Sequence, residues 1–339
     1  MGEAESTRAL SALLSDCWGI TPASVEPFDA GRMNRHWRVE TSVGAFVLRR
    51  YSRLRLPESI PGEQAVLEAA ANAGWPVALP IASLADERIV LSASARYSLF
   101  PFLPGERAAL GRLSQLRING RLLARLHGDL AGALESQRTG FGRAWELDVT
   151  LQSAGADSFN AALSEFGKQH GELAAAVRRQ RYRSLRELSR LGYGDLPSSV
   201  IHGGFHNDNL LFSGPELTGL LDFDSARRDA PMVDLAISLI RDCTLPPDHN
   251  VIDPVRVGAM LEGYSRTRRP QTTELEMLPA LLRAAILMLV AHRLAEWKAG
   301  ASDRAVASIE RSVAARFPAL DEVIPELEHV VTEAVGRLN

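Results

Sequence analysis

The segment His202-Gly203-Gly204-Phe205-His206-Asn207-Asp208-Asn209 packs two His, two Gly, two Asn and an Asp into eight positions. Such a run can fill neither a helix interior nor a strand, so it reads as a loop. The apolar run Leu210-Leu211-Phe212 follows. "SGPELTG" then reads as a turn, and a second apolar run ends at Asp222. Paired as a hairpin, the two runs would bring the loop and Asp222 to one end. Asn209 and Asp222 would then present two hard oxygen ligands side by side. Mg²⁺ is held by one or two protein oxygens, with phosphates and water completing its shell. The same residues also read as a polar turn whose Asx side chains cap their own backbone. Spacing alone leaves both readings open.

The elements that must position this loop are legible in outline. The first hundred residues are β-rich with one helix. Ser24–Asp29 suits a strand. His36–Thr41 and Ala45–Tyr51 read as a hairpin closed at Ser42–Gly44. "PESIPGEQAVLEAAANAGW" reads as a helix with Ser59 as N-cap, Pro61 in the first turn and Gly74 ending it. Val77–Ser83 and Glu87–Ala93 read as further strands. Pro101, Pro104 and Gly105 then break the pattern, which places a boundary at about Pro104 and divides residues 1–103 from 104–339. Beyond it the chain is helical to about Leu191. Val200–Phe223 returns to short strands and loops, and the chain is helical again from Pro231. Thr273 and Glu276 have the spacing of a capping box ahead of the apolar helix Leu278–Trp297.

Composition narrows the function classes. The chain has 339 residues, 46% hydrophobic and 23% charged, which suits two domains or one bilobal domain with a sizeable core. The net charge of −3, with no block of like charge, gives no reason to expect nucleic acid or a membrane as partner. Arginine dominates the cations, and Lys168 and Lys298 are the only lysines. Cys17 and Cys243 make no disulfide framework and read as buried thiols. The N-terminal stretch does not read as a signal peptide, and Ala284–Ala291 is too short an apolar run to span a bilayer. The cytoplasm is the expected compartment. The sequence is silent on oligomeric state.

With these elements in place, the chain resembles the aminoglycoside phosphotransferase and choline kinase superfamily, nearest to its kinase-fold homoserine kinases. The hallmark of that family is H-G-D-x-x-x-x-N, then a strand pair and an Asp. Here it stands as His202 to Asn209 followed by Asp222-Phe223-Asp224. The resemblance covers roughly residues 20–320. It implies an α+β, bilobal, protein-kinase-like fold: a small β-rich N-lobe that binds nucleotide and a larger, mostly helical C-lobe carrying the catalytic loop and the acceptor site. It further implies an ATP- (or GTP-) and Mg²⁺-dependent phosphotransferase acting on a hydroxyl of a small molecule, an amino alcohol or an aminoglycoside-like antibiotic. By the same resemblance, Arg49 takes the place of the ATP-binding lysine, with Glu63 as its helix partner. Phe100, Phe102 and Leu103 lie in the hinge that holds the base. Asn209 and Asp222 hold the metal. His202 and Asp234 brace the catalytic loop. Asp29–Trp37 would cover the phosphates, and acceptor walls could come from Glu262, Tyr264, Glu274 and Glu276.

Two departures matter. Arg49 keeps the charge of the lysine and can grip phosphate or carboxylate through a bidentate fork. Gly204 stands where the family has the Asp that takes or orients the acceptor's hydroxyl proton, and glycine can do neither. A general base contributes about 10²–10⁴-fold, whereas positioning and charge neutralisation carry most of a loose phosphoryl-transfer transition state. Three stand-ins are available: Asp208 in the same loop, His206 beside it, and Asp224, which strand alternation would place on the side of Asp222 if the strand continued. The alternative to an enzyme with a substitute base is a catalytically silent kinase-fold protein that binds nucleotide or a small ligand.

Overall fold

A computed structural model describes residues 6–28, 34–53, 55–108, 112–133, 143–152, 155–246, 249–300 and 302–336. Helix α1 (Thr7–Trp18) leads into strands β1 (Ser24–Phe28), β2 (Arg35–Thr41) and β3 (Gly44–Arg50). Helix α2 (Ile60–Asn72) separates these from β4 (Val90–Ser92) and β5 (Ala95–Pro101). The five strands form one antiparallel sheet of order β1-β2-β3-β5-β4. The hairpin foreseen at Ser42–Gly44 is present, with Thr41 paired to Gly44. Alternation sends Trp37, Val39 and Leu48 to one face, where Leu10, Leu14 and Trp18 of α1 cover them in a separate small core. α2 turns Val66, Leu67 and Ala70 into the larger core of the molecule and packs on the Phe223–Ser225 turn, so it links the sheet to the loops that carry the site.

The rest is mostly helical. Strand β6 (Glu106–Arg107) precedes α3 (Leu113–Asp129), α4 (Asp148–Gln152), α5 (Phe159–Phe166) and α6 (Gly171–Arg190). Short strands β7 (Ser199–Ile201), β8 (Leu210–Ser213), β9 (Glu216–Leu220) and β10 (Arg227–Asp229) follow. Then come α7 (Pro231–Asp242), α8 (Pro254–Ser265), α9 (Thr272–Glu276), α10 (Leu278–Lys298), α11 (Ser302–Arg311) and α12 (Phe317–Gly336). α10 is long and apolar enough to cross a membrane, but most of it is buried against α6, α7 and α11, and it carries Arg283 and Arg293 inside. It is the central helix of the larger lobe. The fold is therefore α+β, with a small β-rich lobe and a larger helical one.

Some local expectations fail for identifiable reasons. Val77–Ser83 forms no strand; within it only Ile81 makes an isolated bridge, to Leu99, because two prolines in the neighbourhood remove ladder donors. The capping box ahead of α10 uses Gln271 and Glu274 rather than Thr273 and Glu276. Ser59 sits at the start of α2, but its hydroxyl donates back to Leu56 O at 2.6 Å and caps nothing.

Candidate active site

The loop 202–209 joins β7 to β8, and β7 is fixed by antiparallel pairing with β10. Asp234, in the first turn of α7 and fully buried, accepts the amides of His202 at 2.7 Å and Gly203 at 3.0 Å. His127 Nε2 lies 3.2 Å from the same carboxylate. Burial alone would raise the Asp234 carboxyl, but the bonds from His127 and the loop amides bring it below its ordinary value. Gly203 has φ of +77°, and a Cβ there would stand 2.2 Å from the Ser225 carbonyl, so only glycine fits. The His202 ring lies 4.4 Å from that of Phe223, and its Nε2 donates to Leu221 O at 3.0 Å.

The strand pair brings Asn209 and Asp222 together. Leu210 pairs with Leu220 across β8 and β9, and the amide of Leu221 donates to Asn209 O at 2.9 Å. Asn209 spends its side-chain N–H on Gly204 O at 2.8 Å, which leaves its Oδ1 as an acceptor. β9 ends at Leu220, Asp222 adopts a left-handed conformation (φ 63°, ψ 64°), and residues 223–225 form a short 3₁₀ turn. The alternation argument for Asp224 therefore fails: the strand does not continue, and the two carboxylates are set by a tight turn. Asp222 is open to solvent, yet surrounding protein atoms and the neighbouring Asp224 raise its carboxyl to about 6. No ion pair among the described residues reaches it. A carboxylate in no direct ion pair, one position along the ribbon from the partner of Asn209, suits a hard divalent ion whose other ligands come from phosphate and water. Among the described residues there is no cluster of three or more His, Cys, Asp or Glu that would hold a metal by itself.

Facing this turn is a buried charge cluster. Arg49 Nη1 donates to Glu63 Oε1 at 2.7 Å and to Asp224 Oδ1 at 3.2 Å. Arg55 lies with Nη2 3.0 Å from Glu63 Oε2 and Nη1 2.8 Å from Asp224 Oδ1. Asn34 donates its side-chain amide to the other oxygen of Asp224 and accepts the Ser52 amide at 2.9 Å. Burial, then Asp224, raises Glu63 to about 7. Asp224 feels the same burial, but Arg55 and Arg49 outweigh it and hold the carboxyl at about 2. Next to this cluster His36 is depressed to about 3, by burial and then by Arg49.

Gly204 leaves an open position in the loop. Its φ is not in the left-handed region, and a Cβ there would meet only Asn209 Nδ2 at 3.7 Å and His202 Nδ1 at 3.8 Å, ordinary contacts. His202 Nδ1 is buried with no partner. The three stand-ins differ sharply. Asp208 turns to Arg241, 2.8 Å away, while its carbonyl accepts from Arg107 at 3.1 Å. Asp224 is committed to two arginines and Asn34. His206 is held neutral by burial and then by Arg241, and its Nδ1 has no hydrogen-bond partner.

The remaining sequence candidates lie as follows. Phe100 sits on β5 under the Arg49 guanidinium, 4.8 Å from ring centroid to Cζ. Phe102 donates its amide to Ala45 O at 3.1 Å, with its ring against Phe28 and Arg38, and Leu103 follows half-buried. Of the Asp29–Trp37 stretch, residues 29–33 lie outside the described residues. Three of the four acceptor walls are already engaged: Glu262 by Arg117 and Arg266, Glu274 by Arg268, and Tyr264, fully buried, by His127. Glu276 is exposed on α9. Sequence reasoning missed Arg55 and Asn34. Both come from irregular chain flanking β2 and β3, and nothing in an arginine-rich stretch such as "RRYSRLR" marks which guanidinium turns inward.

Residues 24–270 match the family described as "Phosphotransferase enzyme family". A homoserine kinase from a Caulobacter species is 30% identical over 268 residues, 79% of this chain and 79% of its own. A homoserine kinase of Zymomonas mobilis subsp. mobilis is 26% identical over 275 residues, covering 81% of each chain. Among solved structures, an amicoumacin kinase in complex with AMP-PNP, Ca²⁺ and Ami superposes with a TM-score of 0.67 at 14% identity, covering 91% of this chain and 94% of the other. That likeness speaks for a shared fold.

Proposed function

Because the chain belongs to the phosphotransferase enzyme family, we propose that it transfers the terminal phosphoryl group of ATP, with Mg²⁺, to a hydroxyl of a small amino alcohol. What supports the reading is the β8–β9 ribbon, whose Leu221 amide donates to Asn209 O so that Asn209 and Asp222 share one end of it, next to the turn whose Asp224 meets Arg49. In this reading residues 1–103 hold the nucleotide, with backbone near Phe100–Leu103 against the base and Arg49 against the phosphates. Residues 104–339 hold the catalytic loop and the acceptor, and the enzyme works in the cytoplasm. Asn209 and Asp222 would hold Mg²⁺, which when bound supplies neutralisation of phosphate charge as the leaving oxygen departs. The acceptor oxygen bonds to the terminal phosphorus, the bond to ADP breaks with its electron pair going to the ADP oxygen, and the hydroxyl proton passes to solvent water. Asp234 keeps the loop rigid through the His202 and Gly203 amides, so the acceptor meets a fixed surface.

Two relatives are homoserine kinases and a protein of similar fold is a microcompartment-associated aminopropanol kinase, so amino alcohols come first in an acceptor panel. The test is acceptor-dependent release of ADP from Mg·ATP across amino alcohols and aminoglycosides, beside thermal shifts with Mg·ATP. ADP release that depends on one acceptor supports the reading. Absence of both turnover and shift contradicts it.

One observation favours a second reading, a silent nucleotide binder: Gly204 carries no proton acceptor, and two of the three stand-ins are tied up in ion pairs. A thermal shift without turnover in the native chain, and turnover on restoring Asp at 204, would select it.

A further inference from the structure

We propose that Arg55 is a second phosphate-binding residue, and that the Asp224 carboxylate occupies, between Arg49 and Arg55, the place a nucleotide phosphate oxygen takes. The inference rests on the phosphotransferase reading above. It arises from a convergence: Arg49 Nη1 and Arg55 Nη1 approach the same oxygen, Asp224 Oδ1, at 3.2 and 2.8 Å. A single oxyanion thus sits between two guanidinium groups. The Arg55 side chain is only 6% exposed and that of Arg49 15%.

A carboxylate does not use all the donors present. Arg55 Nη1, although at ion-pair distance, has no aligned hydrogen-bond acceptor among the described residues, and neither has Arg49 Nε. Glu63 Oε2 likewise receives no aligned donor although Arg55 Nη2 is 3.0 Å away. Buried guanidinium donors without acceptors are costly, so such a site favours an anion with more oxygens and a tetrahedral spread. A phosphate meets that description. The site also lies where it would serve a nucleotide: Asp224 is two residues from Asp222, and Glu63 fixes both arginines from behind.

Nucleotide entry is then an exchange. A phosphate oxygen replaces Asp224 Oδ1 between the arginines, and Asp224 keeps Asn34, its other hydrogen-bonding partner. Arg55 gives this chain a second fork where a lysine-based site would have one ammonium.

The test is calorimetric binding of ATP, ADP and adenosine, with Mg²⁺, to the full chain and to Arg55→Gln, Arg55→Lys and Asp224→Asn, with thermal melting as the check on folding. Arg55→Gln should weaken ATP by about ten- to a hundredfold while adenosine changes less than about twofold. Arg55→Lys should recover part of the loss, and Asp224→Asn, which removes the competing anion, should tighten ATP. An ATP-to-adenosine affinity ratio that stays at the wild-type value in both Arg55 variants overturns the inference alone. Should Arg55→Gln fail to fold, Arg55→Lys and Asp224→Asn decide: unaltered or weaker ATP binding in Asp224→Asn overturns the exchange. Wild-type protein that binds neither ATP nor ADP overturns the phosphotransferase reading together with this inference.

Discussion

The side-chain amide of Asn209 donates to the carbonyl of Gly204 at 2.8 Å, so the backbone of the vacant base position is held by the residue proposed to bind metal. The geometry of position 204 therefore does not depend on its own side chain. A Cβ added there makes only contacts of 3.7 and 3.8 Å. Gly204→Asp should fold with an unchanged melting temperature and raise the kcat of a native chain that already turns over, by up to the about 10²–10⁴-fold a general base contributes, whereas turnover found only in the variant selects the silent binder. Steady-state ADP release by the two proteins checks this. A fall in kcat with intact folding would show that the loop has been rebuilt around glycine.

The proton acceptors present are not equivalent. The Asp208 carboxylate already pairs with Arg241 on the surface, so Asp208→Asn should leave turnover within about threefold, as expected for an exposed pair of small worth. His206 Nδ1 makes no hydrogen bond to the described residues and lies 3.8 Å from the Asp208 carboxylate, so His206→Gln should lower residual turnover by about tenfold or more. Comparison of kcat for the two variants separates them. The reverse ranking would assign the proton to Asp208.

Asp242 gives a pH dependence whose sign is fixed. Its two oxygens accept the Asn207 amide at 3.1 and 3.0 Å, and burial, outweighing that bond, raises its carboxyl from 3.8 to about 7. A raised carboxyl favours the protonated folded form. That stabilisation is full below the unfolded value and is lost as pH rises through about 7. Asp242→Asn keeps an acceptor for Asn207 and cannot ionise. Its melting temperature relative to wild type should therefore be higher at about pH 8 than at about pH 5. Between those two pH values the difference corresponds to at most ~3 kcal/mol, from about two pH units below the folded value at ~1.36 kcal/mol per pH unit. A difference independent of pH would contradict the assignment.

The parts legible in the sequence were those governed by local chemistry. Two glycines and five polar residues between apolar runs read as a loop, and two apolar runs around "SGPELTG" read as a hairpin that places Asn209 and Asp222 at one end. The β2–β3 hairpin and the central helix α10 followed from alternation and apolar length in the same way. What escaped was decided by long-range burial of charge. Asp224 read as a neighbour of Asp222 on a strand, but the chain turns at Asp222 and sends it to Arg49 and Arg55. Arg55 was one arginine among many until Glu63 and Asp224 drew it inside. The acidic side chains of α8 and α9 read as acceptor walls, yet Glu262 is matched by Arg266 one turn along its own helix, a pair the i,i+4 spacing allows, and by Arg117 from α3, which spacing does not mark, and Glu274 by Arg268.

The pairing of Asn209 with Asp222 is the center of the account, and calorimetric titration of ATP with and without Mg²⁺ tests it most directly. Wild-type protein should bind ATP at least about tenfold more tightly with Mg²⁺ than without, a difference of ~1.4 kcal/mol or more, and Asn209→Ala and Asp222→Ala should each erase that difference while remaining folded. If both variants kept the full Mg²⁺ dependence of the wild type, the metal would be held elsewhere and the account would be wrong.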